Sequence, residues 1–173
     1  MKEYLLEDNK KINRKSLKAP KMDLEDYITA HQGLVICCHD VFIKYQDGIL
    51  LVNRDNYPAK NILWPIGGRI ERGSDAIESL KSKVKNECGL KIDNIKFLGV
   101  ARTLFKTDPF GHGKGTDTMN LVYFADGQGK VKLDGLHNNP TIITLKDYKK
   151  GLIPKLHPYV DDFLKEVFKS LKK

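Results

Sequence analysis

Cysteine is scarce in this sequence, and long apolar runs are absent. The three cysteines are Cys37, Cys38 and Cys88, and the adjacent pair falls on a predicted strand whose successive side chains point to opposite faces. This arrangement does not suit a disulfide framework. No apolar run approaches the roughly 18 residues of a membrane-spanning helix, and the amino-terminal MKEYLLEDNKK lacks the apolar segment of a signal peptide. These absences predict a cytoplasmic protein with no membrane partner.

Arginine is also scarce, although the chain is basic. The net charge is +8, and the basic residues are 25 lysines and only five arginines. The lysines are spread along the chain and concentrated in its polar tails, and no basic stripe with interleaved aromatic residues is present. This pattern favours a solvated surface over a nucleic-acid groove. The positive field would still steer an anionic small molecule towards a cleft.

The length and composition predict one domain preceded by a polar arm. At 173 residues, 40% of them hydrophobic, the chain can bury a sizeable core. Residues 1–20 are polar and charged and are predicted to form an arm outside the core. Residues 21–173 are predicted to form a single domain that closes with an amphipathic helix, because apolar residues recur at helical spacing in HPYVDDFLKEVFKSLKK.

Strand and helix patterns alternate along the domain. LVICCHDVFIKY and ILLVNR flank the turn signal QDG and predict a β-hairpin. IKFLGVARTLFK and TMNLVYFA predict two further strands joined by the glycine-rich loop TDPFGHGKGTD, and PTIITL predicts a last strand. MDLEDYITAH predicts a short helix. The fold class is therefore α/β in the α+β sense, with a mixed β-sheet flanked by helices.

The most informative segment is GGRIERGSDAIESLKSKVKNECGL, which spans Gly67 to Leu90. Its glycines permit close approach of a ligand to the backbone, and the helix that follows offers free N–H groups to an anion. Glu87 falls close to the apolar stripe of this helix, where a carboxylate needs a partner or a metal ion. The stripe consists of Ala76, Leu80, Val84 and Cys88.

This segment resembles the Nudix box, whose pattern is Gly, five residues, Glu, seven residues, Arg-Glu-aliphatic, one residue, Glu-Glu, one residue, Gly-aliphatic. The spacing holds without a gap when it is aligned on Gly68, Glu87, Gly89 and Leu90, with Val84 in the aliphatic position.

The box is depleted of its charged residues. Ser74 replaces the first Glu, Ser82 the Arg, Lys83 the next Glu, and Asn86 the first of the paired Glu. Glu87 is the one box carboxylate that remains.

The resemblance extends to the GDP-mannose mannosyl hydrolases, a Nudix branch with a similarly depleted box. That branch uses an Asp on an early strand, an Arg that closes the next strand, an Arg after the box glycines and a His in a late loop. Asp40, Arg54, Arg69 and His137 stand at these positions, and the likeness covers roughly residues 22 to 150.

One further position departs from the branch. The residue before the late His, which has an amide side chain on the metal in that branch, is Leu136 here.

The resemblance implies a Nudix fold, with a mixed β-sheet sandwiched between helices, and a hydrolase of a GDP-mannose-like nucleoside diphosphate sugar. It implies Mg²⁺, with Mn²⁺ as the alternative, held by Glu87 and the carbonyl of Gly68. Arg54 and Arg69 would stabilise the leaving diphosphate, with Asp40 orienting a guanidinium. His137 would be the base that activates water for attack on the anomeric carbon. The resemblance also implies a homodimer.

The residues leave alternatives open. One is a Nudix pyrophosphohydrolase that cleaves at phosphorus, and the other is a catalytically silent Nudix fold that binds a nucleotide or a protein. Glu87 can equally form an i,i+4 ion pair with Lys83. His39 and His112 are weaker candidates than His137 for the catalytic His, and Trp64 is predicted to be structural.

Overall fold

A mixed β-sheet forms the centre of the molecule. The computed structural model describes residues 2–7 and 10–171. The strands are β1 (Leu6–Glu7), β2 (Lys10–Lys11), β3 (Ile36–Tyr45), β4 (Gly48–Arg54), β5 (Leu63–Trp64), β6 (Ile66–Arg69), β7 (Lys91–Phe105), β8 (Thr116–Gln128) and β9 (His137–Thr144). The α-helices are α1 (Leu24–Gly33), α2 (Ala76–Cys88), α3 (Leu145–Lys150) and α4 (Pro158–Ser170).

Seven of these strands form the central sheet. The order is β5-β4-β3-β8-β7, while β6 pairs with β3 and β9 pairs with β4. Strands β3 and β8 are parallel, and the other pairs are antiparallel. The predicted hairpin and the two long strands after the box are confirmed.

Alternating side chains give the sheet two apolar faces. On β3, Val41 and Ile43 pack with α2, whereas Phe42 packs with α4 on the opposite face. The α2 face buries Ile66, Leu80, Val84, Cys88, Tyr123 and Ala125. The α4 face buries Trp64, Val122, Phe124, Tyr159, Val160, Leu164, Val167 and Phe168. The predicted sheet sandwiched between helices is therefore confirmed.

Helix α2 begins and ends where its sequence signals indicate. The side chain of Asp75 caps the start by accepting hydrogen bonds from the N–H groups of Ile77 and Glu78, and Gly89 ends the helix in the left-handed conformation with φ +76°. The predicted stripe of Ala76, Leu80, Val84 and Cys88 is buried. Burial of this stripe fixes the rotation of α2 and so places Lys83 beside Gly68.

The amino-terminal residues pack on the outside of the box. Strands β1 and β2 pair with each other, and a 3₁₀ helix follows at Arg14–Leu17. Arg14 pairs with Glu3 at 2.7 Å and donates to the carbonyl of Ser74 at 3.2 Å. None of the buried apolar residues in the described part of the chain lies before position 38. The domain boundary near residue 20 stays a prediction.

Within residues 2–7 and 10–171, no helix combines the length and the apolar character needed to cross a bilayer.

Gly67 is the tightest point between β6 and β3. A Cβ at this position would lie 2.2 Å from Asp40 Oδ1 and 2.2 Å from the carbonyl oxygen of His39. We expect Gly67→Ala to lower the free energy of unfolding by about 1–3 kcal/mol, the usual cost of overpacking. Denaturant unfolding measures the change.

Gly33→Ala is the matched control for this prediction. Gly33 ends α1 with no atom within 4 Å of its Cβ position, so Gly33→Ala should leave stability unchanged or slightly raised. Equal stability of the two variants would contradict the close packing at Gly67.

Candidate functional site

A cavity of about 490 Å³ opens at the amino-terminal ends of β3 and β8, on the sheet face that α4 covers. Its volume lies within the range of small-molecule sites. Charged and polar residues of its wall are His31, Cys38, Asp40, Arg54, Asn56, Arg69, Thr103, Thr116, Thr118 and Asn120. Its apolar and glycine residues are Tyr27, Ile36, Tyr57, Pro58, Ala59, Trp64, Gly68, Phe105, Pro109, Phe110 and Leu136. The cavity thus combines flat aromatic surfaces with two guanidinium groups.

Aromatic side chains form two groups in the cavity wall. Trp64 stacks on Tyr159 at 5.0 Å between ring centroids and meets Phe105 edge-on at 5.7 Å. Tyr27 and Phe110 meet edge-on at 5.5 Å. The structural role predicted for Trp64 is therefore incomplete, because this residue also lines the cavity. Such surfaces suit the stacking of a planar heterocycle.

Asp40 is buried at the base of the cavity. The hydroxyl of Tyr159 donates to its Oδ2 at 2.6 Å. Burial raises the pKa of Asp40 to about 6, while the Tyr159 hydrogen bond and the nearby charge of Arg54 oppose this shift. The sequence predicts an arginine as the direct partner of Asp40, and this prediction is wrong. The hydrogen-bond partner is Tyr159, because α4 packs the ring of Tyr159 against this end of β3.

Arg54 ends β4 and is largely withdrawn from solvent. Its Nη2 donates to Asn56 Oδ1 at 3.2 Å, and its Nε is buried with no hydrogen-bond partner in the part of the chain that the structure describes. Burial lowers the pKa of Arg54, and the charges of Asp40 and Glu87 oppose this effect. A partly unsatisfied guanidinium in a cavity wall is well suited to an anionic ligand.

Arg69 ends β6 at the rim of the same cavity. Its guanidinium lies over the ring of Tyr27, 4.3 Å from the centroid, in a cation–π contact. The structure therefore brings Arg54 and Arg69 to one cavity, as the sequence predicts. Tyr27 is a supporting residue that the sequence analysis does not identify, because its contact depends on how α1 packs across the sheet.

His137 is not in a loop, which corrects the sequence analysis. It is the first residue of β9, it is buried, and it stands directly opposite Arg54 in the β4–β9 pairing. The strand begins before the predicted PTIITL because an extra residue in β9, opposite the step from Leu51 to Asn53, shifts the register so that Asn53 and Arg54 pair with Asn138 and His137.

The ring of His137 has one carboxylate partner. Its Nδ1 lies 2.8 Å from Asp134 Oδ1. The residue that reaches the cavity wall at this point is the preceding Leu136. Asp134 lies three residues before His137, a local spacing that could have identified it from the sequence.

Lys83 lies beside both Glu87 and Gly68, the two groups predicted to hold the metal ion. The Nζ of Lys83 lies 3.6 Å from Glu87 Oε1 and 3.5 Å from the point where a Cβ on Gly68 would stand. Burial raises the pKa of Glu87 to about 7, with Lys83 opposing the shift. The other carboxylate oxygen of Glu87, Oε2, is buried and has no hydrogen-bond partner among the described residues.

This donor set does not fit a divalent cation. Among residues 2–7 and 10–171, no three His, Cys, Asp or Glu side chains are grouped so that they could hold a metal ion. The remaining carboxylate is already paired with an ammonium group, which repels a second cation. The alternative of a Lys83–Glu87 ion pair, left open by the sequence, is the contact that the structure shows.

The glycine-rich loop is held by internal hydrogen bonds and contacts α1 through a pair of histidines. Asp108 accepts hydrogen bonds from the N–H groups of Phe110, His112 and Gly113, at 2.9, 3.1 and 3.0 Å. The Nε2 of His112 lies 2.8 Å from Nδ1 of His31. His31, rather than His112, lines the cavity.

His39 lies on the opposite side of the sheet. Its Nε2 lies 3.1 Å from Ser79 Oγ on α2, which agrees with the structural role predicted for it.

Solved structures share this architecture. The MutT NUDIX hydrolase from Burkholderia pseudomallei superposes with a TM-score of 0.62 over 78% of this chain and 98% of that chain, at 18% identity. This chain has the Nudix fold. The NUDIX domain of Shewanella oneidensis NrtR, complexed with ADP ribose, superposes with a TM-score of 0.60 over 87% of this chain and 99% of that domain, at 14% identity.

A bifunctional NMN adenylyltransferase/ADP ribose pyrophosphatase from Francisella tularensis, complexed with AMP and a Mn ion, matches at a TM-score of 0.61 and 14% identity. The match covers 84% of this chain and 44% of that one. No protein-family profile and no curated protein sequence matches the chain. At these identities the likeness establishes the Nudix fold, and the GDP-mannose hydrolase branch stays a prediction.

The environment of Asp40 makes stability depend on pH. Its pKa in the folded protein is about 6, above its ordinary 3.8, so its ionisation destabilises the fold as the pH rises through this interval. Asp40→Asn keeps an acceptor for Tyr159 and removes the ionisation. We expect this variant to be more stable than the wild type at pH 8, on the order of 2–3 kcal/mol, with the difference vanishing below about pH 4.

Thermal unfolding between pH 4 and pH 8 measures this difference. Asp117→Asn is the control, because Asp117 is partly exposed and Arg102 holds its pKa low through a hydrogen bond at 2.7 Å. It should give no stabilisation at pH 8. A gain for Asp40→Asn that is the same at every pH would contradict the assignment.

Proposed function

We propose that this chain hydrolyses a nucleoside diphosphate sugar, with water attacking the anomeric carbon of the sugar. The observation that carries the proposal is the convergence of Arg54 and Arg69 on one aromatic-walled cavity, with His137 directly opposite Arg54. Guanidinium groups suit a diphosphate because they stay charged and match its oxygens with two parallel donors.

The cavity has separate surfaces for the parts of such a ligand. Trp64 and Phe105 in one group, and Tyr27 and Phe110 in the other, offer ring faces or edges to a base. The polar side chain of Asn120 lies in the same wall and suits the hydroxyl groups of a sugar. The ADP ribose bound to the NrtR domain, itself a sugar on a nucleoside diphosphate, supports this ligand class.

In this proposal His137 is the general base. If Nδ1–H donates to Asp134, the other ring nitrogen, Nε2, is free to accept a proton from water. The water oxygen forms a bond to the anomeric carbon as the bond from that carbon to the diphosphate oxygen breaks. The products are the free sugar and a nucleoside diphosphate, whose growing charge Arg54 and Arg69 stabilise.

The composition of the box favours attack at carbon over attack at phosphorus. Ser74, Ser82, Lys83 and Asn86 remove the charged groups with which a full box acts at phosphorus. Attack at the anomeric carbon requires that the diphosphate leave, and arginines can support that step without further carboxylates.

A second candidate function is nucleotide binding without turnover. The burial of His137 and the presence of Leu136, not His137, in the cavity wall favour it. One measurement distinguishes the two candidate functions. Incubation with a panel of nucleoside diphosphate sugars, with and without Mg²⁺, gives sugar release under the first and binding alone under the second.

Hydrolysis in ¹⁸O-labelled water tests which bond breaks. We expect the label in the released sugar and an unlabelled nucleoside diphosphate, both read by mass spectrometry. Label in a phosphate-containing product would mean that phosphorus is attacked, and the proposed reaction would be wrong.

Arg69→Ala tests the role of the guanidinium at the cavity rim. If Arg69 acts mainly on the charge that grows on the leaving group, kcat should fall about 10²–10³-fold, as it does when one preorganised donor is lost. Arg102→Ala is the matched control, because Arg102 pairs with Asp117 and does not line the cavity. A normal kcat with a raised KM would show that Arg69 serves ground-state binding instead.

A further inference from the structure

Lys83 occupies a position at which a full Nudix box has a carboxylate. It lies on α2 one turn before Glu87, and its ammonium is 3.6 Å from Glu87 Oε1. The same nitrogen is 3.5 Å from the Cβ position of Gly68. A positive charge fixed to the protein therefore lies next to both groups that the sequence analysis assigns to magnesium.

We propose that the ammonium of Lys83 takes the place of a divalent cation, so that this chain binds the diphosphate of its ligand without metal. This inference rests on the proposed function, from which it takes the class of ligand, a nucleoside diphosphate sugar. It assigns to Lys83 a direct contact with the diphosphate.

The backbone at Gly68 leaves Lys83 close to the cavity. Gly68 is part of the cavity wall, and the ammonium of Lys83, which does not itself line the cavity, lies 3.5 Å from the Cβ position of this glycine. The side chain of Lys83 is 29% exposed, so the ammonium is not sealed inside the protein. Arg54 and Arg69 line the same cavity, and Lys83 lies behind Gly68 of its wall, so a diphosphate against Gly68 would have three cationic groups near it.

Glu87 holds the ammonium in position. Its side chain is only 14% exposed, and its carboxylate forms an ion pair with Lys83, one helical turn earlier. Partial burial strengthens this attraction relative to a pair in open water. The last box carboxylate thus orients a lysine in this protein.

Ligand binding in the presence of EDTA tests the proposal. Calorimetry with inorganic pyrophosphate, ADP and GDP should give affinities that agree within about threefold between EDTA and Mg²⁺ buffers. Lys83→Met should weaken binding at least about tenfold, since losing a hydrogen bond to a charged group has a cost of that order. Lys81→Met is the matched control, because Lys81 lies on the same helix and pairs with Glu78 at the surface.

Lys83→Glu tests the same idea without a nucleotide. This change restores the carboxylate of a full box beside Glu87 and removes the competing charge. We expect Lys83→Glu to bind Mn²⁺, measured by the loss of the free-ion electron paramagnetic resonance signal, and the wild type and Lys81→Glu to leave the signal unchanged. Circular dichroism confirms that each variant is folded.

The outcomes separate this inference from the proposed function. Nucleotide binding in EDTA with no hydrolysis of any nucleotide sugar would support the role of Lys83 and overturn the proposed reaction. Hydrolysis that requires Mg²⁺ would support the reaction and overturn the role of Lys83. The role of Lys83 would also be overturned if the wild type bound Mn²⁺ as well as Lys83→Glu does. The absence of diphosphate binding in both EDTA and Mg²⁺ buffers would overturn it too.

Discussion

The absence of side chains at Gly67 and Gly68 is the constraint on which the site depends. At Gly67, the β6 backbone approaches β3 so closely that a Cβ would overlap Asp40 and the carbonyl of His39. At Gly68, φ is +149°, a conformation that residues with side chains rarely adopt, and the ammonium of Lys83 lies 3.5 Å from its Cβ position. Groups from β3 and from α2 therefore meet at one short strand. A larger residue at Gly67 would push β6 away from β3 and so separate these groups, even if the rest of the fold were unchanged.

The charged groups around these glycines are held in an environment that opposes their ionisation. Burial raises the pKa of Asp40 to about 6 and that of Glu87 to about 7, and it lowers the pKa of Arg54. A purely structural core would gain stability by replacing such groups with apolar ones. Asp40 and Arg54 line the cavity, and their environment fits a site that stays partly unsatisfied until an anion binds.

Local patterns in the sequence predict the frame of the site, and tertiary contacts decide its chemistry. The stripe of α2 and the hairpin of β3 and β4 follow from periodicity and turn residues, and the frame of the box brings Lys83 of α2 to Gly68. The partner of Asp40 does not follow from such patterns, since Tyr159 lies 119 residues away and is marked only as a core position of α4. The place of His137 depends on a register shift that a single sequence does not reveal.

We propose that the cavity holds a nucleoside diphosphate with its phosphates between Arg54 and Arg69. A crystal structure of the protein with bound GDP or ADP tests this claim most directly. We expect diphosphate oxygens within hydrogen-bond distance of both guanidinium groups, and the base against one of the two aromatic groups of the wall. A nucleotide bound outside this cavity, or one whose diphosphate contacts neither arginine, would contradict it.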